Sequence, residues 1–253
     1  MPNFWNEWLG RGGTKRLKRR IVPELRWNQQ IWGETIRTHL SAPLRWLDSG
    51  CGWRLLGKDL ETLENELVSL PRSVVGVDLD LPHLCKHVNI SRRVCASLDS
   101  LPFPEASFDL VTCNMVFEHL PEPLTVLREM SRILARGGVL MVHTPNIRNY
   151  LVFGNKLANK LLPRALALKL VTDSRDSDDI YPTYYRGNSA PTLRKLGEAV
   201  QLRLESVRFL TQPQPYTRFF APAAFFELLL MRSTMTPPLD RFAATLITVF
   251  RKP

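Results

Sequence analysis

Two acids and two glycines carry the first chemistry that the sequence offers. In the stretch Leu44–Gly57, LRWLDSGCGWRLLG, Asp48 precedes Gly50 and Gly52, and a second acid, Asp78, closes the apolar run Ser73-Val74-Val75-Gly76-Val77. Glycines at that spacing let the backbone take conformations closed to other residues, and let a ligand lie against bare peptide N–H groups at the positive start of a helix. A carboxylate at the end of the second strand of a doubly wound sheet falls where ribose hydroxyls are gripped. These residues describe a nucleotide-type site, although a Gly-x-Gly turn by itself also serves structural turns. A dinucleotide fingerprint would need a third glycine where this chain has Leu55.

The elements that must position these groups follow from the apolar pattern. Leu44, Trp46 and Leu47 read as a short buried strand that ends at Asp48 and turns into a helix from about Leu55 to Leu70, with Leu56, Leu60, Leu63, Leu67 and Leu70 as its apolar stripe. Strand two ends at Asp78. A short helix runs from Pro82 to Val88, strand three covers Arg93–Ala96 and strand four Phe108–Cys113. A helix from about Pro123 to Leu134 is ended by Gly137 and Gly138, and Val139–His143 makes strand five. Upstream, Ile31, Trp32, Ile36 and Leu40 predict a helix over 28–40, and the run Lys15–Arg20 within residues 1–27 reads as a solvated basic arm, with the phosphate groups of nucleic acid or lipid as its alternative contact.

In order between Arg45 and Asn146, LDSGCG, VVGVD, LPFPEASFDLV, FEHL, LREMSRILARGG and HTPN resemble the class I S-adenosylmethionine-dependent methyltransferases of the small-molecule type, those with a methyltransferase domain 11-like core. The resemblance implies an α/β fold: a Rossmann-like seven-stranded, mostly parallel sheet with an antiparallel terminal strand, helices on both faces and helical lid insertions. It divides one domain, 1–253, into an N-terminal basic arm and helix (1–40) and a cofactor-binding core (41–146). Lid insertions follow at 147–188 and 211–243, and a terminal helix and strands at 189–210 and 244–253. Within the last parts, Thr192–Gln201 fits the helix, Leu204–Leu210 strand six and Ala244–Arg251 strand seven. Both insertions would begin at the carboxyl ends of strands, the ligand-binding edge of such a sheet, and bring Tyr181, Tyr184, Tyr185, Arg186 and Arg218 to an acceptor pocket.

The same resemblance implies S-adenosyl-L-methionine as cofactor. Asp48 would organise the glycine turn and meet the methionine ammonium, Gly50, Cys51 and Gly52 would give close backbone approach, and Asp78 would take the ribose diol, with Leu79 beside it and Asp80 as a fallback. Adenine would sit by Ser97, Leu98 and Asp99; Ser97 stands where relatives carry Asp or Asn, so Asp99 or a backbone carbonyl is the alternative acceptor. Asn114 and Met115 would lie beside the sulfonium. His119 is the candidate base for an acceptor hydroxyl, since an imidazole takes a proton near neutral pH; its alternative role is to fix its own loop by a backbone hydrogen bond, and His143 and the three tyrosines are rivals. Arg54 occupies the place of a third family glycine, where it would either reach the methionine carboxylate or narrow the pocket.

Composition sets the outer bounds. At 253 residues and 44% hydrophobic the chain can bury an ordinary core. Cys51, Cys85, Cys95 and Cys113 form no CxxC pair and read as buried thiols of a reducing compartment rather than disulfides or zinc ligands. With no run of eighteen apolar residues and no signal-peptide pattern, the expected location is cytoplasmic. A net charge of +10 suggests attraction to nucleic acid, an anionic membrane face or a negatively charged acceptor, or equally no more than a soluble cationic enzyme. That is compatible with peripheral contact at the inner membrane face, where Lys156, Lys160 and Arg164 opposite Leu157, Leu161, Leu162 and Leu166, together with the apolar stretch Phe219–Met231, could rest; ordinary packing of the lid on the core explains the same segments equally, and Pro163 breaks the first. The chain has no Asn-Pro-Pro-Tyr type sequence after strand four, which argues against a nucleic-acid acceptor. The Asp173–Asp179 cluster lacks the glycine and distal glutamate of a calcium loop, so no metal is expected. The resulting expectation is methyl transfer to oxygen of a small-molecule, glycan or lipid-linked acceptor. The alternatives are a non-catalytic cofactor-binding relative and a nucleic-acid-binding methyltransferase; the oligomeric state stays open.

Overall fold

β-branched and aromatic residues alternating with amphipathic stretches build a single seven-stranded sheet of order β3-β2-β1-β4-β5-β7-β6 in the computed structural model, which describes residues 9–150, 181–212 and 214–253. The strands are β1 Arg45–Ser49, β2 Ser73–Asp78, β3 Arg92–Cys95, β4 Phe108–Asn114, β5 Leu134–Pro145, β6 Arg203–Leu210 and β7 Thr245–Arg251. β1 to β5 pair in parallel, while β7 runs antiparallel to both β5 and β6. The carboxyl end of β6 therefore points the same way as that of β5. The expected α/β class, topology and antiparallel terminal strand are all present.

Among the described residues the helices are α1 Arg11–Ile21, α2 Asn28–Arg37, α3 Glu61–Ser69, α4 Leu81–Cys85, α5 Pro123–Ile133, α6 Ala190–Ala199 and α7 Ala221–Ser233. One face of the sheet packs Leu127, Met130 and Ile133 of α5 and Leu193 of α6 against Leu47, Val111, Val142 and Phe250. The other packs Ile31, Trp32 and Ile36 of α2 and Leu67 of α3 against Trp46, Leu110 and Met141. A separate small cluster joins Leu17 and Ile21 of α1 and neighbouring Val22 to Leu228 and Met231 of α7.

Four expectations need correction. The basic run is a helix rather than a solvated arm, because Leu17 and Ile21 stand one turn apart and find an apolar partner in α7. The helix after the glycine turn starts at Glu61, since Leu55 and Leu56 are buried in an irregular connection. α5 ends at Ile133 before its glycines, which lie inside β5; Gly137, at φ +75°, gives that strand its irregular start. Cys85 and Cys95 are exposed, while Cys51 and Cys113 are buried, and all four are free.

Residues 151–180 lie outside the described residues, and with them the Lys156–Arg164 stretch and the Asp173–Asp179 cluster. So do residues 1–8 and Pro213. Among the described residues no helix is long and apolar enough to cross a membrane, and no group of three or more His, Cys, Asp or Glu gathers as a metal site would.

Candidate functional site

β1 and β4 lie side by side with Asp48 opposite Thr112, and this pairing builds the floor of the site. Asp48 is 3% exposed, and its Oδ1 accepts a hydrogen bond from Thr112 Oγ1 at 2.6 Å. Burial raises its pKa to about 7; the Thr112 bond opposes that rise and the nearby Asp78 carboxylate adds to it. A buried acid in that state gains most from a cation brought to it.

The turn that follows is stitched to the end of β2. The amides of Gly50 and Cys51 donate to the Val77 carbonyl at 2.7 and 3.1 Å, and the Gly52 amide donates to Asp78 Oδ2 at 2.8 Å. Gly50 and Gly52 both adopt left-handed φ, +73° and +53°, but their surroundings differ. A Cβ on Gly50 would stand 2.3 Å from Val116 Cγ2, so that glycine is required by packing. A Cβ on Gly52 would meet nothing within 4 Å, so bare backbone there faces open space. Cys51 is buried under β2, and burial raises its thiol pKa, so it acts as an inert filler of the turn.

Asp78 ends β2 half-buried. Its Oδ1 accepts from the Asp80 amide at 2.9 Å, so each oxygen has one backbone donor and room for a second. Leu79 projects beside it, 72% exposed. Asp80 caps α4 through the His83 amide and also takes the Tyr181 hydroxyl at 2.6 Å. β3 delivers Cys95 opposite Asp78, so Ser97, Leu98 and the exposed Asp99 follow at the same edge. The residues expected around a nucleoside are thus gathered at the carboxyl edge of β1, β2 and β3.

Asn114 ends β4 opposite His143, and its side chain is turned into a polar network. Its Nδ2 donates to Gln29 Oε1 at 2.9 Å, and its Oδ1 accepts from His143 Nδ1 at 2.8 Å. His143 Nε2 contacts Thr245 Oγ1 at 3.0 Å and the ring stacks on Trp32. Burial lowers the pKa of His143 to about 3, which makes it a neutral structural imidazole and removes it as a rival base. Gln29, a residue the sequence reading did not single out, ties the start of α2 to this edge. Its sequence signal was its place in the first turn of the helix expected over 28–40.

His119 sits half-buried after β4, and its Nδ1 lies 2.8 Å from the Pro182 carbonyl. A carbonyl only accepts, so Nδ1 carries the hydrogen and the lone pair of the neutral ring is on Nε2, which stands 3.9 Å from Glu118 Oε1. Tyr181 packs edge-on against the ring. The amides of Tyr184 and Tyr185 donate to the Glu118 carbonyl at 2.7 and 3.2 Å. The returning end of the first insertion therefore touches both Asp80, two residues past Asp78, and His119.

Arg54 does not turn toward this edge. Its Nη1 pairs with Glu64 Oε2 at 2.9 Å, and Glu64, fully buried, also accepts from the Leu56 amide at 2.5 Å. The expected reach to a methionine carboxylate is replaced by a buried ion pair that pins α3 under the turn.

These residues fit a nucleoside cofactor with a cationic amino-acid end. Gly52 leaves open room over its backbone, Asp48 is an acid whose burial raises its pKa, and Asp78 keeps acceptor capacity of the kind a diol would use.

The comparisons with known proteins agree. A methyltransferase domain family model matches residues 47–142. The ubiquinone biosynthesis O-methyltransferase of Xanthomonas oryzae is 32% identical over 128 residues, 49% of this chain and 54% of that protein. A "probable S-adenosylmethionine-dependent methyltransferase" of Mycobacterium tuberculosis is 36% identical over 103 residues, covering 40% of this chain and 35% of that protein. The chain thus spans about half the length, or less, of these curated relatives. Among solved structures, geranyl diphosphate C-methyltransferase from Streptomyces coelicolor, in complex with S-adenosyl-L-homocysteine, superposes with a TM-score of 0.54 at 15% identity over 88% of this chain and 77% of that one, a likeness of fold. Residues 47–142 of the chain thus match a methyltransferase domain family model, and they lie within a seven-stranded Rossmann-like sheet of the kind these neighbours share.

Proposed function

We propose that this chain is a methyltransferase that takes the methyl group of S-adenosylmethionine to an oxygen of a small-molecule or lipid-linked acceptor. The observation that carries the cofactor half is the Gly50–Gly52 turn fixed to Asp78 over the buried acid Asp48. When bound, the cofactor would supply an electrophilic methyl on sulfur. Asp48 would hold its ammonium, Gly52 would give the backbone approach, Asp78 would take the ribose hydroxyls, Leu79 would pack beside the adenine, and Ser97 to Asp99 would border it.

Oxygen as the acceptor atom is supported by His119, whose Nδ1 donates to the Pro182 carbonyl and so leaves the Nε2 lone pair to accept a hydroxyl proton. The identity shared with a ubiquinone biosynthesis O-methyltransferase supports the same atom. Tyr181, Tyr184 and Tyr185 beside His119 would shape the acceptor side and keep water from it. The test has two arms. S-adenosylhomocysteine binding by calorimetry reads the cofactor half, and labelled methyl transfer to phenol, sugar and lipid hydroxyls reads the other. His119→Gln is expected to lower transfer about 100-fold with cofactor affinity unchanged; unchanged transfer would assign His119 to fixing its loop alone.

A further inference from the structure

α1 and α7 together present a face that the cofactor reading does not use. α1 carries six cations, Arg11, Lys15, Arg16, Lys18, Arg19 and Arg20, among eleven residues and no acid. Between α1 and the segment before α7 lies a cavity of about 320 Å³ lined by Arg11, Thr14, Lys15, Lys18 and Arg218. Thr14, 4% exposed, is one of the residues lining that cavity, and its buried hydroxyl has no hydrogen-bond partner among the described residues. Partial burial lowers the pKa of Lys18, a cost that an anion in the cavity would offset. Four cations around an unpartnered buried hydroxyl are the donor set for a phosphate group.

Beside the cavity the surface is apolar. Phe219, Phe220, Phe226, Leu229 and Leu230 are all exposed, Phe226 at 71%. Arg11 and Arg218 each lie over the Phe219 ring, at 4.4 and 4.7 Å, so cations and apolar side chains are contiguous. The carboxylate of α7, Glu227, is turned inward, where it accepts the Tyr216 and Thr217 amides, both at 2.9 Å. The outer face of the helix is thereby left without negative charge. A cationic rim around exposed Phe and Leu is the pattern of a protein that lies on an anionic bilayer. A second copy of the chain is a poor occupant, because a two-fold contact would bring the cations of α1 against their own counterparts.

We propose that the α1–α7 face docks on a bilayer of anionic phospholipid, with lipid phosphate in the Arg11–Arg218 cavity and Phe226, Leu229 and Leu230 among the acyl chains. The face grows from the carboxyl end of β6, which lies beside the start of β7 and on the same sheet edge as the Asp48–Asp78 site. Docking would present that edge to amphiphilic acceptors. This deepens the proposed methyl transfer and rests on it for the acceptor, whereas the docking itself does not require catalysis.

The test is co-sedimentation of the full chain with phosphatidylglycerol–phosphatidylcholine vesicles and with pure phosphatidylcholine vesicles. S-adenosylhomocysteine titration of the same samples reports the cofactor site separately. Each cation near an anionic surface is worth roughly fivefold, so Lys15→Glu/Lys18→Glu should bring binding to the phosphatidylcholine level. Phe226→Ser/Leu229→Ser should cut binding to the anionic vesicles by at least about fivefold, with nucleotide affinity unchanged in both variants. Equal binding to the two vesicle types, or either folded variant binding as wild type, would overturn the docking surface. So would failure to bind vesicles by a chain that self-associates through Phe226. Loss of nucleotide binding with vesicle binding intact would instead count against the methyltransferase reading.

Discussion

The hydroxyl of Thr112 donates to the buried carboxylate of Asp48 at 2.6 Å. The indole N–H of Trp46 donates in turn to the same hydroxyl at 2.7 Å, so the acid beneath the glycine turn is oriented by a chain of donors within the sheet. Burial nevertheless keeps its pKa near 7, above the ordinary carboxylate value of 3.8. With its pKa raised in this way Asp48 is protonated below about pH 7 in the ligand-free chain, and on the proposed reading the cofactor ammonium would displace that proton. S-adenosylhomocysteine affinity is expected to fall as pH drops below 7, by up to about tenfold per pH unit, and to level off above it. Binding heats compared in two buffers of different ionisation enthalpy would show proton release, and Asp48→Asn should abolish both the release and the slope. The sign for folding is the opposite: with the native value raised, ligand-free stability is lost as pH rises from 3.8 through 7.

The two glycines of the turn should respond differently to alanine. Gly50→Ala combines a left-handed backbone with a 2.3 Å approach to Val116, and is expected to destabilise the fold by about 3 kcal/mol. Gly52→Ala meets open space and should cost only about 1 kcal/mol while weakening nucleotide binding roughly tenfold. Thermal melts paired with titrations separate the two; equal melting temperatures for both variants would contradict the assignment.

Restoring the third family glycine should harm the protein rather than improve its site. Arg54→Gly would leave Glu64 buried without its cation, a loss of about 3 kcal/mol, because the pair braces α3 against the turn. Cofactor affinity that rises while the melting temperature holds would show that Arg54 narrows the pocket after all.

Much of this was readable in the chain because the signals are local. The strands to Asp78 and from Phe108 follow from apolar runs, and the Gly50–Gly52 turn follows from its neighbours in sequence. What was hidden depends on partners far away. Leu17 and Ile21 make α1 a packed helix only because α7, some two hundred residues later, supplies Leu228 and Met231. Arg54 looked free to meet a ligand because nothing in its own motif names Glu64 as its partner. His143 looked like a base until β7 supplied Thr245 and α2 supplied Trp32, leaving it desolvated and neutral.

The central claim is that Asp78 and Gly52 together grip a nucleoside at the end of β2. It is tested most directly by titrating S-adenosylhomocysteine into the full chain and into Asp78→Ala by calorimetry. Micromolar binding to the wild type and at least about tenfold weakening in the variant are expected, the worth of one to two hydrogen bonds to a charged acceptor. No binding to the folded wild-type chain, or equal affinity for the two proteins, would contradict it.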